Sequence, residues 1–313
     1  SVSSVVAMPD GRHLLTGSAD KTARLWDIET GQELYVFAGS AGLVESVAVT
    51  PDSRHFLTAG SDKIVRLWDL ATRQENRAFE VGMLSVSSFS VTPDWTRLLA
   101  WSEEKVAQLW ELKTGRVGRT ISLAGHSGKI NSAAITVDGR QLLTGGEDNI
   151  ARLWDLETGR EVQRFVGHDK GITVVVPTPD GHQLLTGARD GTTRLWDLGT
   201  ARLIRVFTGP VYTLLVSRDG RHLVTGAHKT ARLWDLTTGQ ELLSFPDHGN
   251  VVRSVAVTPD GRQLLTACRS TIRLWDLTTG RLLRTLPGQA DIASLEVCAD
   301  GRHLVVGRWD NTA

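Results

Sequence analysis

The sequence predicts an all-β protein assembled from one four-stranded antiparallel unit, written seven times in full and an eighth time in part. Three observations carry that prediction. First, Trp26, Trp68, Trp110, Trp154, Trp196, Trp234 and Trp275 recur at intervals of 42, 42, 44, 42, 38 and 41 residues, which marks an internal repeat. Second, six of the seven follow Arg-Leu and precede Asp, as in Arg24-Leu25-Trp26-Asp27, while the third reads Gln108-Leu109-Trp110-Glu111. Third, no segment sustains an apolar stripe at helical spacing, so essentially no helix is expected. Trp95, Trp101 and Trp309 stand outside the series.

Each unit divides into strand-length segments separated by turn signals. In the seventh, residues 252–257 are apolar and β-branched and make strand a. Asp260-Gly261 turns the chain, because Gly tolerates the positive φ of tight hairpins. Residues 263–267, 271–276 and 282–286 follow as strands b, c and d, with Thr279-Gly280 turning between the last two. A lone meander cannot bury two apolar faces, so successive units must stack.

Strand a opens near Val2, Val44, Val86, Ile130, Ile172, Val211, Val252 and Ile292, giving eight starts for seven Trp markers. The eighth unit has strand a at 292–297, a turn at Asp300-Gly301 and strand b at 303–307. Asp310-Asn311-Thr312-Ala313 then matches Asp20-Lys21-Thr22-Ala23. Two readings stay open. Either eight positions close and the last holds only inner strands, or seven units close and the hairpin begins a further array. The first is the expectation taken here.

Composition excludes several classes. The 313 residues carry 35 Lys+Arg against 35 Asp+Glu, so the net charge lacks the basic excess of a nucleic-acid binder. With 41% hydrophobic and 22% charged residues, the chain has a globular composition and needs no metal or disulfide staple at this length. No apolar run reaches the roughly 18 residues of a membrane span, and no secretory leader is read at the start. Cys268 and Cys298 are too few for a disulfide framework, which points to the cytoplasm. No metal or phosphate motif occurs, so neither metal nor cofactor is expected.

Units of this period marked by Trp-Asp resemble the WD-repeat (Trp-Asp) β-propeller family, and their close likeness is similar to bacterial-type multi-repeat arrays. The resemblance covers nearly the whole chain. It implies a single propeller over residues 1–313, with seven full blades at about 2–287 and an incomplete eighth at 292–313. It also implies a network within each blade: a His before strand a, a Ser/Thr on strand b, an Asp in the b–c turn and the strand-c Trp. Blade four has His126, Thr144, Asp148 and Trp154, and blade five has His168, Thr186, Asp190 and Trp196. Only these two are complete. Blade one has Thr16, Asp20 and Trp26, and blade two has Thr58, Asp62 and Trp68 with Ser40-Ala41 where Gly-His would stand. Blade three has Ala100 and Glu104. Blades six and seven are one residue short in the b–c turn, and His248 is the candidate for blade seven.

A His, a hydroxyl and a carboxylate are the parts of an activated nucleophile. Repetition argues for structure instead, because a catalytic site is not written several times around one scaffold. The repeated Arg of Arg-Leu-Trp-Asp is expected to lie along the blade with its stem packed.

Function on such a scaffold lives in what varies between repeats. In the family, partners dock where the d–a and b–c loops open. The matching positions include Glu45, Glu103 and Glu147 in blades two to four, and Arg189, Arg253 and Arg269 in blades five to seven, with Tyr212 on the basic side. Tyr and Arg are enriched at binding hot spots. The resemblance therefore implies a non-catalytic protein–protein interaction scaffold for a peptide or protein domain. The alternative is a sensor or regulatory propeller domain of a larger signalling enzyme (kinase, protease or NTPase) whose catalytic part lies outside this chain, which a start at Ser1 rather than Met would fit. No nucleic-acid or membrane partner is expected. Self-association through the incomplete eighth blade is a further route, since an open edge accepts strands.

Overall fold

The computed structural model describes residues 2–81, 86–102, 105–246, 248–269, 271–287, 292–298, 301 and 303–308. Among them there is no helix, and the strands form seven four-stranded sheets and one two-stranded sheet. Every four-stranded sheet is an antiparallel meander in the order a-b-c-d. Each has the four-stranded form of the blade that the sequence resemblance implies. Two compact units divide the chain: residues 1–89 with 256–313, and residues 90–255.

The fourth blade shows how the repeat folds. Its strands 4a, 4b, 4c and 4d are Ile130–Ile135, Gln141–Gly146, Ile150–Asp155 and Glu161–Val166. Asp155 ends strand 4c by accepting hydrogen bonds from the Thr158 N–H at 2.6 Å and the Thr158 hydroxyl at 2.8 Å. That Asx-type turn recurs at Asp27, Asp69, Asp197, Asp235 and Asp276 with a Thr three residues on, which is why Asp follows Trp in the repeat. In the b–c turn, the residue after the Asp, or after His228 in blade six, adopts the left-handed conformation. Lys21, Lys63, Asn149 and Lys229 sit there at φ of 72°, 66°, 67° and 62°, and blade five uses Gly191 at 80°.

Within each unit, neighbouring blades cover one another's faces. In the first unit, Leu15, Ala23 and Phe37 of blade one pack on Phe56 and Trp68 of blade two. In the second, Ala107 and Ile121 of blade three cover Leu142 and Trp154 of blade four, and Ala151 and Phe165 of blade four cover Leu184 and Trp196 of blade five. The strand-d aromatic meets the next Trp edge-on, with ring centroids 5.7 Å apart for Phe37 and Trp68 and 6.0 Å for Phe165 and Trp196.

The partial eighth blade consists of strands 8a (Ile292–Val297) and 8b (Leu304–Arg308), so 8b begins one residue later than the sequence suggests. Within its unit this hairpin lies between the seventh and first blades. Ile292 and Leu295 pack on Ala256, Leu265, Ala267 and Ile272 of blade seven. On the other side Cys298 and Val305 pack on Val5 and Leu14 of blade one, and the Ala7 N–H donates to Glu296 at 3.1 Å.

Strands 6a (Thr213–Val216) and 7a (Ser254–Val257) start two residues after the expected Val211 and Val252. In blades two, four and five, a b–c turn N–H (Ser61, Glu147, Arg189) bonds the carbonyl just before strand a and lengthens the ladder. Blade six has a shorter b–c turn, and the Tyr212 N–H bonds Gly226 O instead. The Val252 N–H is drawn to Ala227 O of blade six.

Candidate functional site: the blade networks and the loop face

In blade four, strand register places Thr144 opposite Arg152 and Leu142 opposite Trp154. The Trp154 indole N–H therefore reaches diagonally to the Thr144 hydroxyl at 2.8 Å. His126 enters from the preceding connection, its Nε2 2.7 Å from Thr144 and its Nδ1 3.0 Å from Asp148. Asp148 also accepts from Arg152 at 2.7 Å and from the Ser127 N–H at 3.2 Å. Blade five repeats this: His168 lies 2.7 Å from Thr186 and 2.7 Å from Asp190, and Trp196 donates to Thr186 at 2.8 Å. There Thr192 binds the carboxylate at 2.7 Å, while Arg194 stands off at 4.0 Å.

Burial holds the imidazoles of His126 and His168 below their ordinary pKa, against the pull of their Asp partners. Burial pushes the carboxyls of Asp148 and Asp190 up, but the hydrogen bonds they accept outweigh it, with the Arg152 guanidinium adding its charge beside Asp148, and leave both below the usual carboxylate range. Each site thus holds a neutral His beside a carboxylate. Thr144 and Thr186 are completely buried, so neither hydroxyl can meet a substrate. The parts of a hydrolase are present, locked together as a brace.

The other blades keep reduced versions. Trp26, Trp68, Trp234 and Trp275 donate to Thr16, Thr58, Thr225 and Thr266 at 2.9–3.0 Å. Blade two replaces the imidazole with Ser40, whose hydroxyl and the Ala41 N–H reach Asp62 at 3.1 and 3.0 Å. In blade seven Cys268 Sγ and Thr271 Oγ1 approach to 3.1 Å where the Asp is missing, and His248, placed before strand 7a, is buried. The repeated Arg does more than pack its stem. Arg66 bridges Asp62 and Glu75 at 2.6 and 3.2 Å, and Arg152 bridges Asp148 and Glu161 at 2.7 and 3.2 Å. The Glu at the start of strand d was the signal for this pairing.

Of the loop-face residues, Glu45, Glu147, Arg189, Tyr212, Arg253 and Arg269 are all exposed, and Glu103 lies outside the described residues. In the second unit, Arg189 and Glu147 approach to 3.9 Å across adjacent blades. Tyr212 stacks edge-on against His228, with centroids 4.8 Å apart and a hydrogen bond between Tyr212 Oη and His228 Nε2. The hairpin register that bonds the Tyr212 N–H to Gly226 O brings residue 228 alongside. Arg269, in the first unit, has a positive φ of 40°, and its carbonyl accepts from Ile292 at 2.7 Å. Among the described residues no cluster of three or more His, Cys, Asp or Glu is arranged to hold a metal ion.

Comparison with known proteins places this geometry. No curated protein matches the chain. The crystal structure of the computationally designed Ika8 protein is similar to it, with a TM-score of 0.86 and 25% identity over 100% of this chain and 94% of that one. Residues 1–27 match the WD domain, G-beta repeat. WD-repeat propellers are in general protein-interaction scaffolds and typically non-catalytic. Residues 44–308 match the β-propeller described as the Nucleolar protein 10-like, N-terminal domain, and the chain belongs to that family.

Proposed function

We propose that this chain is a non-catalytic platform that binds a peptide or protein domain on the face where the d–a and b–c loops open. One observation carries the reading. In the second unit the repeated polar residues, His126, Thr144, His168 and Thr186, are buried and satisfy one another, whereas the varied ones above them, Glu147, Arg189, Tyr212, His228 and Arg253, are exposed. What repeats braces the blades, and what varies is left for a partner. Tyr212 supplies a large amphipathic ring at 51% exposure, and Arg189 a guanidinium at 61%. Both side-chain types dominate measured hot spots.

The test compares the native chain with a Tyr212→Ala/Arg253→Glu/Arg269→Glu variant as baits in affinity capture. The expected result is a protein held by the native chain and lost by the variant, with identical circular dichroism for the two baits. Equal recovery of every captured protein by both baits would reject this face.

A further inference from the structure

Successive blades of the second unit are tied together at their c–d turns by one residue of strand d. That residue lies opposite the Leu that precedes the repeat Trp. It is Arg119 on strand 3d (Val117–Ser122), opposite Leu109, and Arg205 on strand 5d (Leu203–Thr208), opposite Leu195. Arg119 crosses to blade four and donates to Thr158 O at 3.2 Å. Arg205 crosses to blade six, where Nη1 and Nη2 donate to Thr238 O and Thr237 O, each at 2.6 Å. The turn glycines make room for these side chains. Gly159 and Gly239 hold φ of 71° and 77°, and a Cβ on Gly239 would come within 2.4 Å of Arg205 Cδ. The Thr158 hydrogen bonds, and after them the Arg119 charge, hold the Asp155 carboxyl of that turn below its ordinary range. The first unit exchanges the partners: the Arg73 guanidinium of the blade-two turn lies 4.8 Å from the ring centroid of Tyr35, which stands opposite Leu25.

The junction of blades four and five is built differently. The residue opposite Leu153 is Gln163, which carries no charge. Ala201, at φ 55°, takes the place of Gly159 and Gly239, so its methyl stands in the path that Arg205 follows over Gly239. Glycine has moved to position 199, where Glu157 and Thr237 carry side chains in the other turns. A cavity of about 570 Å³ opens at this junction, lined by Leu153, Val162, Gln163, Asp197, Leu198 and Gly199 with neighbouring residues, and no Lys or Arg lines it. Leu153 and Leu198 are buried, at 2% and 8% exposure, and give it an apolar side. Asp197 accepts from the Thr200 N–H and hydroxyl at 2.8 and 2.6 Å, both through Oδ1, which leaves Oδ2 for a ligand. The carbonyls of Gly199 and Thr200 hold the places of Thr237 and Thr238, and among the described residues no donor bonds either one.

We infer that this crevice binds an arginine side chain presented by a partner peptide. The aliphatic stem lies on Leu153, Val162 and Leu198, and the guanidinium meets Asp197 Oδ2 and the turn carbonyls, as Arg205 meets those of Thr237 and Thr238 at the next junction. The chemistry favours arginine over lysine, because two successive carbonyls beside a carboxylate match a planar fork of donors better than one ammonium. The crevice lies at the a–b and c–d turns, so this inference stands apart from the loop-face reading.

The probe is the blocked peptide acetyl-Gly-Gly-Arg-Gly-Gly-amide, titrated into the full chain and followed by NMR of the Leu and Val methyl groups. Saturable binding is expected, with a dissociation constant on the order of millimolar because a single side chain carries it. The shifts should centre on Leu153, Val162 and Leu198. A citrulline peptide, which keeps the shape and loses the charge, should bind about 10-fold more weakly. Asp197→Asn keeps an oxygen for Thr200 and should weaken the arginine peptide about 5-fold. The Tyr212→Ala/Arg253→Glu/Arg269→Glu variant should bind it as the native chain does. A second arm rebuilds the neighbouring junction within the chain. Gln163→Arg/Ala201→Gly should melt higher than Ala201→Gly alone and lose the peptide, because its own guanidinium then fills the crevice. Absence of saturation, equal binding of the citrulline peptide, undiminished binding by Asp197→Asn, or shifts centred elsewhere overturns the inference. So does a double variant that melts no higher than Ala201→Gly, since the crevice would then not fit a guanidinium.

Discussion

Blades one and four have the same Thr, Asp, Arg and Trp in the same register, and the bond from indole to hydroxyl forms in both. They differ in what water can reach. Asp148 is enclosed by His126, Arg152 and the Ser127 N–H, while Asp20 keeps Arg24 at 2.6 Å and Thr22 at 2.6 Å and lies open. The lesson is that a blade does not own its network. Its interior is finished by the strand before it and by the connection that leads in, so identical residues carry different energies at different positions.

Tryptophan deletion probes that difference most strongly. Trp154→Ala removes a ring that is 3% exposed and should cost about 3–5 kcal/mol, whereas Trp26→Ala should cost less than about 2 kcal/mol in the same chemical denaturation series. Equal losses would break the comparison.

Carboxylate deletion is the next probe. Asp148→Ala or Asp190→Ala should destabilise by about 1–3 kcal/mol, because buried partners lose their acceptor. Asp20→Ala should stay below about 1 kcal/mol, as expected for an exposed ion pair. Unchanged melting on replacing Asp148 would contradict the network.

Acid sharpens the comparison further. His126 and His168 are held below their ordinary pKa in the folded chain, so on acidification the unfolded chain takes up those protons first. Their contribution is complete above about pH 6.5 and declines as the pH falls below it. The depressed carboxyls of Asp148 and Asp190 add a separate loss below about pH 4, again because the unfolded chain protonates first. A His126→Gln/His168→Gln variant should flatten the upper limb and leave the lower one. A melting temperature that rises from pH 7 to 5 in the native chain would reverse the sign.

The smallest effect belongs to the loop face, where Tyr212→Ala should change stability by no more than about 0.5 kcal/mol. A larger loss would mean that the contact with His228 braces blade six.

The Trp spacing made the strands legible because the features that end a strand are local: the Asp-Gly turns and the Asp–Thr pair that follows six of the seven repeat Trp residues. The complete networks of blades four and five were legible for a related reason, since residue types and spacing coincide in both. What the sequence concealed is long-range. Nothing near Val211 or Val252 announces that their first ladder bonds are redirected, because the cause is a turn shortened elsewhere in the fold. Nothing near Tyr212 names His228, which becomes its neighbour only through hairpin register. The ion pair from Arg152 to Glu161 spans two strands, and its one sequence signal was the Glu that opens strand d.

The left-handed residue in each b–c turn acts as a filter on sequence drift. Lys21, Lys63 and Lys229 hold a conformation that costs an L-residue on the order of 1 kcal/mol, and Asn149 and Gly191 hold it more cheaply. Side chains that branch at Cβ are barred there whatever the surface chemistry favours, because the objection comes from the backbone. Any repertoire of charges displayed at these tips must therefore be written with unbranched residues, Asn or Gly. The turn geometry edits the vocabulary of these tips before their surface chemistry is chosen.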